Sequence, residues 1–84
     1  MTMDKQRIIE IVGAHAAEVL PDLAGHRFVG EDRLLDLGAN SVDRVEILTM
    51  VLDSLSLTIP RVELFGPRNI GELADLLLSK LQTA

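Results

Sequence analysis

The chain has 84 residues, with eight Lys and Arg against thirteen Asp and Glu, a formal net charge of −5 and a hydrophobic fraction of 48%. That length suits one small domain with a thin core, and the acidic balance argues against nucleic acid and anionic membrane surfaces as partners, because phosphate binders concentrate Lys and Arg. The absence of cysteine excludes a disulfide framework, a thiolate metal site and a cysteine nucleophile, and fits a reducing compartment.

Residues 1–84 are therefore read as one domain. The opening Met1-Thr2-Met3-Asp4-Lys5 lacks the layout of a signal peptide, and no apolar run approaches the ~18 residues needed to span a bilayer. A cytoplasmic monomer is expected. Phe28 and Phe65 are the only aromatic residues, so the core must be aliphatic, and the stacking platforms of single-strand binders are missing.

In chain order, a first helix is predicted from about Asp4, its N-cap, to Leu20, with Ile8, Ile11, Val12, Ala16 and Val19 at helical spacing. Pro21 disfavours the helical conformation at Leu20 and stops it. From Pro21 to Asn40 runs a long connection punctuated by Gly25, Gly30 and Gly38, in which Glu31 to Leu37 suits a short helical turn; connections of this length tend to carry function. A second helix follows over Ser41–Leu55, with Val45, Leu48, Leu52 and Leu55 as its apolar stripe. Asn40 is its predicted N-cap, and Asp43 adds a charge that the helix dipole favours. Arg61 to Phe65 is too short for more than a turn or two, and Gly66-Pro67 ends it. A last helix opens at Asn69, where Asn-Ile-Gly-Glu has the capping-box form, and runs through Leu73, Leu77 and Leu81. Only Leu57 to Ile59 leans toward β structure, and it has no alternating partner. The predicted fold is an all-α four-helix bundle, three main helices plus one short one.

Little in the chain suggests catalysis. His15 and His26 sit in different elements with no Cys to help hold a metal; His15 and Glu18 are one helical turn apart, a pair without further apparatus. Glu31, Asp32, Asp36 and Asn40 do not match the alternate spacing of a calcium loop, so no metal site is expected. Neither a G-x-S-x-G elbow nor a G-K-[ST] phosphate loop occurs, so the chain is not expected to be an enzyme. Ser41 is the informative residue. At a helix N-terminus, unpaired N–H groups and the positive dipole end favour a negative charge, so a phosphodiester on its hydroxyl would lie in a favourable field. The alternative is that Ser41 or Asn40 merely caps the helix.

The segment Leu35-Asp36-Leu37-Gly38-Ala39-Asn40-Ser41-Val42-Asp43-Arg44-Val45-Glu46-Ile47 resembles the modification site of acyl carrier proteins, D-x-G-x-[DN]-S-[LV] followed by a helix. Ile59-Pro60, the short helix and Asn69-Ile70-Gly71-Glu72-Leu73 match in order and spacing, so the resemblance covers nearly the whole chain. It implies a right-handed four-helix bundle bearing 4′-phosphopantetheine on Ser41 as a phosphodiester, with a terminal thiol that holds acyl groups as thioesters. Asp53-Ser54-Leu55 reproduces the short D-S-L signature more closely. Ser54, however, falls near the end of the second helix, at the negative dipole end, and lacks the preceding loop glycine.

Asn40 replaces the usual Asp, and Arg44 interrupts a helix that is strongly acidic in many fatty-acid carriers. The G-A-N-S-V-D-R string instead resembles freestanding polyketide carriers that serve β-branching cassettes, where a carrier presents an acetyl or related donor to an HMG-CoA-synthase-like enzyme. The implied partners are a phosphopantetheinyl transferase, an acyltransferase, a ketosynthase and that synthase. A fatty-acid or aminoacyl carrier is the alternative of similar fold, and an unmodified helical interaction domain the alternative of another class. The expected docking face is Val42, Asp43, Arg44, Glu46, Ile47 and Met50, unless Ile47 and Met50 simply widen the core stripe. Arg61 and Arg68, flanking the short helix, are candidates for a second charged contact.

Overall fold

Four α-helices carry the regular structure of residues 3–83, which are the residues the computed structural model describes, the side chain of Arg61 excepted. They are α1 (Lys5–Val19), α2 (Ser41–Leu55), α3 (Arg61–Leu64) and α4 (Ile70–Thr83). No strand occurs among the described residues, and the chain has the expected all-α architecture of three longer helices and one short one.

Each long helix begins where a short polar side chain replaces the missing intrahelical partner. Asp4 accepts the Arg7 N–H at 2.8 Å and starts α1. At the start of α2, Asn40 Oδ1 accepts the Asp43 N–H at 2.8 Å while Asp43 Oδ2 accepts the Asn40 N–H at 3.1 Å. Asp43 is thus half of a reciprocal capping box, with Asp where Glu or Gln is usual. Before α4, Asn69 Oδ1 accepts the Glu72 N–H at 2.8 Å, but Glu72 reaches past Asn69 to the Arg68 N–H at 3.0 Å. The box expected there is displaced by one residue on its return leg.

The helix ends follow the same logic. Leu20 donates its N–H to the Ala16 carbonyl at 2.8 Å but has left helical geometry, at φ −121° and ψ 86°, so α1 stops one residue earlier than predicted. Pro21 then opens a 3-10 turn, Pro21–Leu23, that the periodicity did not announce; a residue without an N–H costs nothing at the first position of a helix. After α2, Ser56 adopts the left-handed conformation (φ 54°) and Leu57 donates to the Leu52 carbonyl at 3.0 Å, closing the helix in a Schellman arrangement.

The connection between α1 and α2 departs most from expectation. Residues 34–38 form turns in place of the predicted helical turn over Glu31–Leu37. The Leu37 N–H is shared between the Arg33 and Leu34 carbonyls and the Gly38 N–H donates to the Leu35 carbonyl at 3.2 Å, after which Gly38 at φ 100° redirects the chain and ends the turns. The connection is held by α4: the Ile70 N–H donates to the Asp32 carbonyl at 2.9 Å and the Gly71 N–H to the Gly30 carbonyl at 2.8 Å. Two N–H groups that a helix start leaves without partners are thereby satisfied by the loop.

α1 packs on both α2 and α4. Its Ile8, Ile9, Val12 and Ala16 belong to one buried cluster with Ile47, Val51 and Leu55 of α2, Ile70, Leu73, Ala74 and Leu77 of α4, and Ala39 and Ile59 from the connections. Of the predicted stripe of α2 only Leu55 is in this cluster, and Ile47 and Val51 take the place of the others. Leu48 and Leu52 are half-buried beside it and Val45 is exposed.

Candidate functional site

Gly38, Ala39 and the Asn40–Asp43 box fix how the chain enters α2. The positive φ of Gly38 turns the backbone, Ala39 is buried, and the cap holds the first turn. The next residue, Ser41, is exposed at the first helical position. Its hydroxyl oxygen accepts a hydrogen bond from Arg44 Nη2 at 3.3 Å. The hydroxyl thus combines solvent access, a backbone held by its neighbours, the positive end of a helix dipole and a guanidinium.

Beside Ser41 lies a groove of about 660 Å³ between residues 33–35, α2, the end of α3 and the start of α4. Leu34, Leu35, Val45, Leu48, Leu64 and Phe65 make its apolar lining, and Arg33, Arg44 and Arg68 line it as well. Phe65 is 75% exposed, Leu35 55%, and Val42, next to Ser41, 74%, so apolar surface continues from the groove onto the outside of the protein. Sequence reasoning missed Leu35, Val45 and Phe65 as groove residues. A signal was present for Phe65: one of only two aromatic residues stands where a short helix gives way to Gly66-Pro67 and has little core to enter.

The six residues expected to form a docking face separate in the structure. Val42 and Glu46 are exposed, and Met50 is half-buried. Asp43 is half-buried with its carboxylate engaged in the cap, and Arg44 is half-buried against Ser41. Ile47 is fully buried and leaves the proposed face: α1 covers that side of α2. Arg68 is exposed and lines the groove, whereas the side chain of Arg61 lies outside the described structure.

Ser54 is engaged elsewhere. His15 Nε2 lies 2.6 Å from its hydroxyl oxygen and joins α1 to α2, while His15 Nδ1 is 3.7 Å from Glu18 Oε1. The order Ser, His, Glu has the look of a hydrolytic triad, and a hollow of about 460 Å³ adjoins it. Yet 3.7 Å is too long to orient the imidazole by a hydrogen bond, and the last turn of a helix offers carbonyls where an oxyanion needs N–H donors. The contact ties two helices together.

His26 and Asp32 order the connection. Asp32 Oδ2 accepts the Val29 N–H at 2.9 Å and lies 3.0 Å from His26 Nε2. Desolvation pushes the Asp32 carboxyl up, but the Val29 bond and the His26 contact together outweigh it and hold the group below its ordinary value. Among the described residues, no group of three or more His, Asp or Glu is placed to hold a metal, and no helix is long and apolar enough to cross a membrane.

Comparison with known proteins bears directly on this geometry. A family model described as "Phosphopantetheine attachment site" matches residues 10–77. The "Polyketide biosynthesis acyl-carrier-protein AcpK" of Bacillus subtilis (strain 168) is 62% identical over 82 residues, covering 98% of this chain and 100% of that protein. Among solved structures, a chain of the "Curacin Biosynthetic Pathway HMG Synthase in Complex with Acetyl Donor-ACP" matches with a TM-score of 0.87 and 45% identity, covering 93% of this chain and 100% of its counterpart.

Proposed function

The chain belongs to the phosphopantetheine-attachment family of acyl carrier proteins, carriers rather than catalysts, and on that footing we propose that residues 1–84 form a single carrier domain whose attachment residue is Ser41. One observation carries the assignment: among the described residues, Ser41 alone joins an exposed hydroxyl at the start of a capped helix to a guanidinium and an open groove. The residues fit the group. A phosphodiester on this hydroxyl meets positive partial charge from the helix and full charge from Arg44, and the adjoining groove offers apolar wall to a chain leaving that point. Ser54 is also exposed and adjoins a hollow, but it lies near the C-terminal end of α2, where the dipole is negative, and its hydroxyl is held by His15 with no guanidinium bonded to it.

In the attachment step, the Ser41 oxygen bonds to the phosphorus that carries the pantetheine arm of coenzyme A. The pyrophosphate bond breaks, the nucleotide half leaves, and the hydroxyl proton passes to a base of the transferase. The bound group supplies a thiol that holds acyl groups as thioesters. This chain contributes a fixed point of attachment, a surface for partners and a raised effective concentration of the tethered acyl group at a docked enzyme.

The likeness to a polyketide carrier and to an acetyl donor carrier bound to an HMG synthase supports a narrower reading. The chain works in polyketide biosynthesis in the cytoplasm, as a monomer. It receives its arm from a phosphopantetheinyl transferase, its acyl group through an acyltransferase and a ketosynthase, and delivers an acetyl or related group to an HMG-CoA-synthase-like enzyme.

Intact-protein mass after incubation with coenzyme A and a broad-specificity transferase tests the assignment. Wild type and Ser54→Ala should gain one phosphopantetheine, and Ser41→Ala none. Modification of Ser41→Ala would overturn the site. An acetyl-loaded chain that an HMG-CoA-synthase-like enzyme leaves untouched, while a fatty-acid ketosynthase consumes it, would overturn the polyketide reading.

A further inference from the structure

Arg44 is an expensive residue where it stands. A cation in the first turn of a helix opposes the dipole, whose positive end lies there. Among the described residues, no carboxylate forms an ion pair with it: the ion pairs there involve Lys5, Arg7, His15, His26 and Lys80. Its Nε is buried without a hydrogen-bond partner, an unsatisfied donor of a kind that folded proteins rarely leave. The one polar contact of its guanidinium, Nη2 to Ser41 Oγ at 3.3 Å, is long for a hydrogen bond.

These features share one resolution. We propose that Arg44 is the positioning residue for the phosphodiester on Ser41: its guanidinium takes the phosphate oxygens and sets the departing arm along the groove lined by Leu35, Val45 and Phe65. The inference rests on Ser41 being the attachment residue. A phosphorus bonded to Oγ places its two free oxygens two bonds beyond an atom that Nη2 already reaches. Guanidinium and phosphate pair through two parallel N–H···O bonds, which provides a role for the Nε donor that the unmodified chain leaves idle. The phosphate also neutralises the cation at the dipole's positive end. Arg44 lines the same groove as the apolar residues, so an anchor on this side sends the arm over α2 toward α3 instead of straight into solvent.

The test uses the full chain, with modification followed by mass. In the unmodified protein the Arg44 side-chain Nε–Hε signal should have the shift of a donor without an acceptor. On modification it should shift and become protected, while the Nε–Hε signal of Arg7, on α1, stays in place. The phosphorus-31 shift of the phosphodiester should differ between wild type and Arg44→Gln, and Arg44→Lys should recover part of the difference, since it keeps the charge but not the fork. Modification should raise the folding equilibrium constant about two- to fivefold more in wild type than in Arg44→Gln, an exposed-site ion pair being of that order. A modified protein whose Arg44 signal and phosphorus shift are both indifferent overturns the inference alone, and points to a partner's carboxylate as the group Arg44 serves. Failure of wild type to gain the arm, with an active transferase, overturns the Ser41 assignment beneath it.

Discussion

Gly71 separates two physical effects of opposite sign. It lies in the first turn of α4, where replacing Gly by Ala stabilises an isolated helix by up to about 1 kcal/mol. A Cβ at this position, however, meets the Gly30 carbonyl oxygen at 3.0 Å, its Cα at 3.1 Å and its carbonyl carbon at 3.3 Å. All three are backbone atoms, so no rotamer change relieves the crowding, and the strand of connection carrying Gly30 has to retreat by several tenths of an ångström. Retreat stretches the 2.8 Å bond from Gly71 N–H to Gly30 and strains the neighbouring bond from Ile70 N–H to Asp32. Overpacking of this kind costs about 1–3 kcal/mol, and a weakened hydrogen bond about 1 kcal/mol, so destabilisation wins by roughly 1–3 kcal/mol. Urea unfolding of Gly71→Ala followed by circular dichroism should show the fall in midpoint with an unchanged slope. Hydrogen exchange should show faster opening of residues 28–38 than of α1. An unchanged or raised midpoint would mean that helix propensity governs the position, and would refute the close approach of the connection to α4.

Asn40→Ala removes the acceptor for the Asp43 N–H and should lower stability by about 1 kcal/mol, while Asn40→Asp keeps the cap and should match or slightly exceed wild type; chemical denaturation checks both. Asp32→Asn tests the connection through pH. The folded carboxyl sits below its ordinary value of 3.8, so its contribution is fully present above that pH and is lost as pH falls through the lower folded value. The stability difference between wild type and Asp32→Asn should therefore be largest near neutrality and shrink progressively in acid titrations below pH 3.8. A difference that is constant across that range would mean that Asp32 acts only as a neutral hydrogen-bond acceptor.

The helices were legible because their boundaries are written in local chemistry. Asp4, Asn40, Asn69, Pro21 and Gly66-Pro67 act within three residues of themselves, and a periodic pattern between them suffices. The course of residues 21–40 was not legible, because beyond the local contacts of Asp32 with His26 and Val29 what orders it comes from far along the chain: the N–H groups of Ile70 and Gly71 hold Asp32 and Gly30, pairings that no local pattern encodes. The candidate site divides in the same way. Ser41 follows from a motif and a cap within seven residues, whereas the groove beside it is assembled from residues 33–35, α2, α3 and α4, and could not be drawn before those elements were brought together.

The buried face of α2 shows where periodicity itself fails. Val42, Val45, Ile47, Leu48, Met50, Val51, Leu52 and Leu55 place apolar side chains on nearly every side of the helix, so no stripe stands out. At about 100° per residue, Ile47, Val51 and Leu55 fall roughly 140° to 220° around from Val42, and Glu46 and Met50 only about 40° and 80°. α1 takes the first set into the core, which leaves Val42, Glu46 and Met50 together on the opposite side. Leu48, Leu52 and Val45 occupy the next sector, at roughly 240° to 300°. Ser41 falls in that same sector, which is why its hydroxyl and the groove share a side of the helix. A partner approaching Ser41 therefore meets two surfaces at once: the Val42 and Glu46 side of α2, and the groove edge with Leu35 and Phe65, both more than half exposed. Since the second surface depends on α3 and the connection as much as on α2, discrimination among partners should reside in both, and the acidity of α2 alone is a poor guide to which enzyme the chain serves.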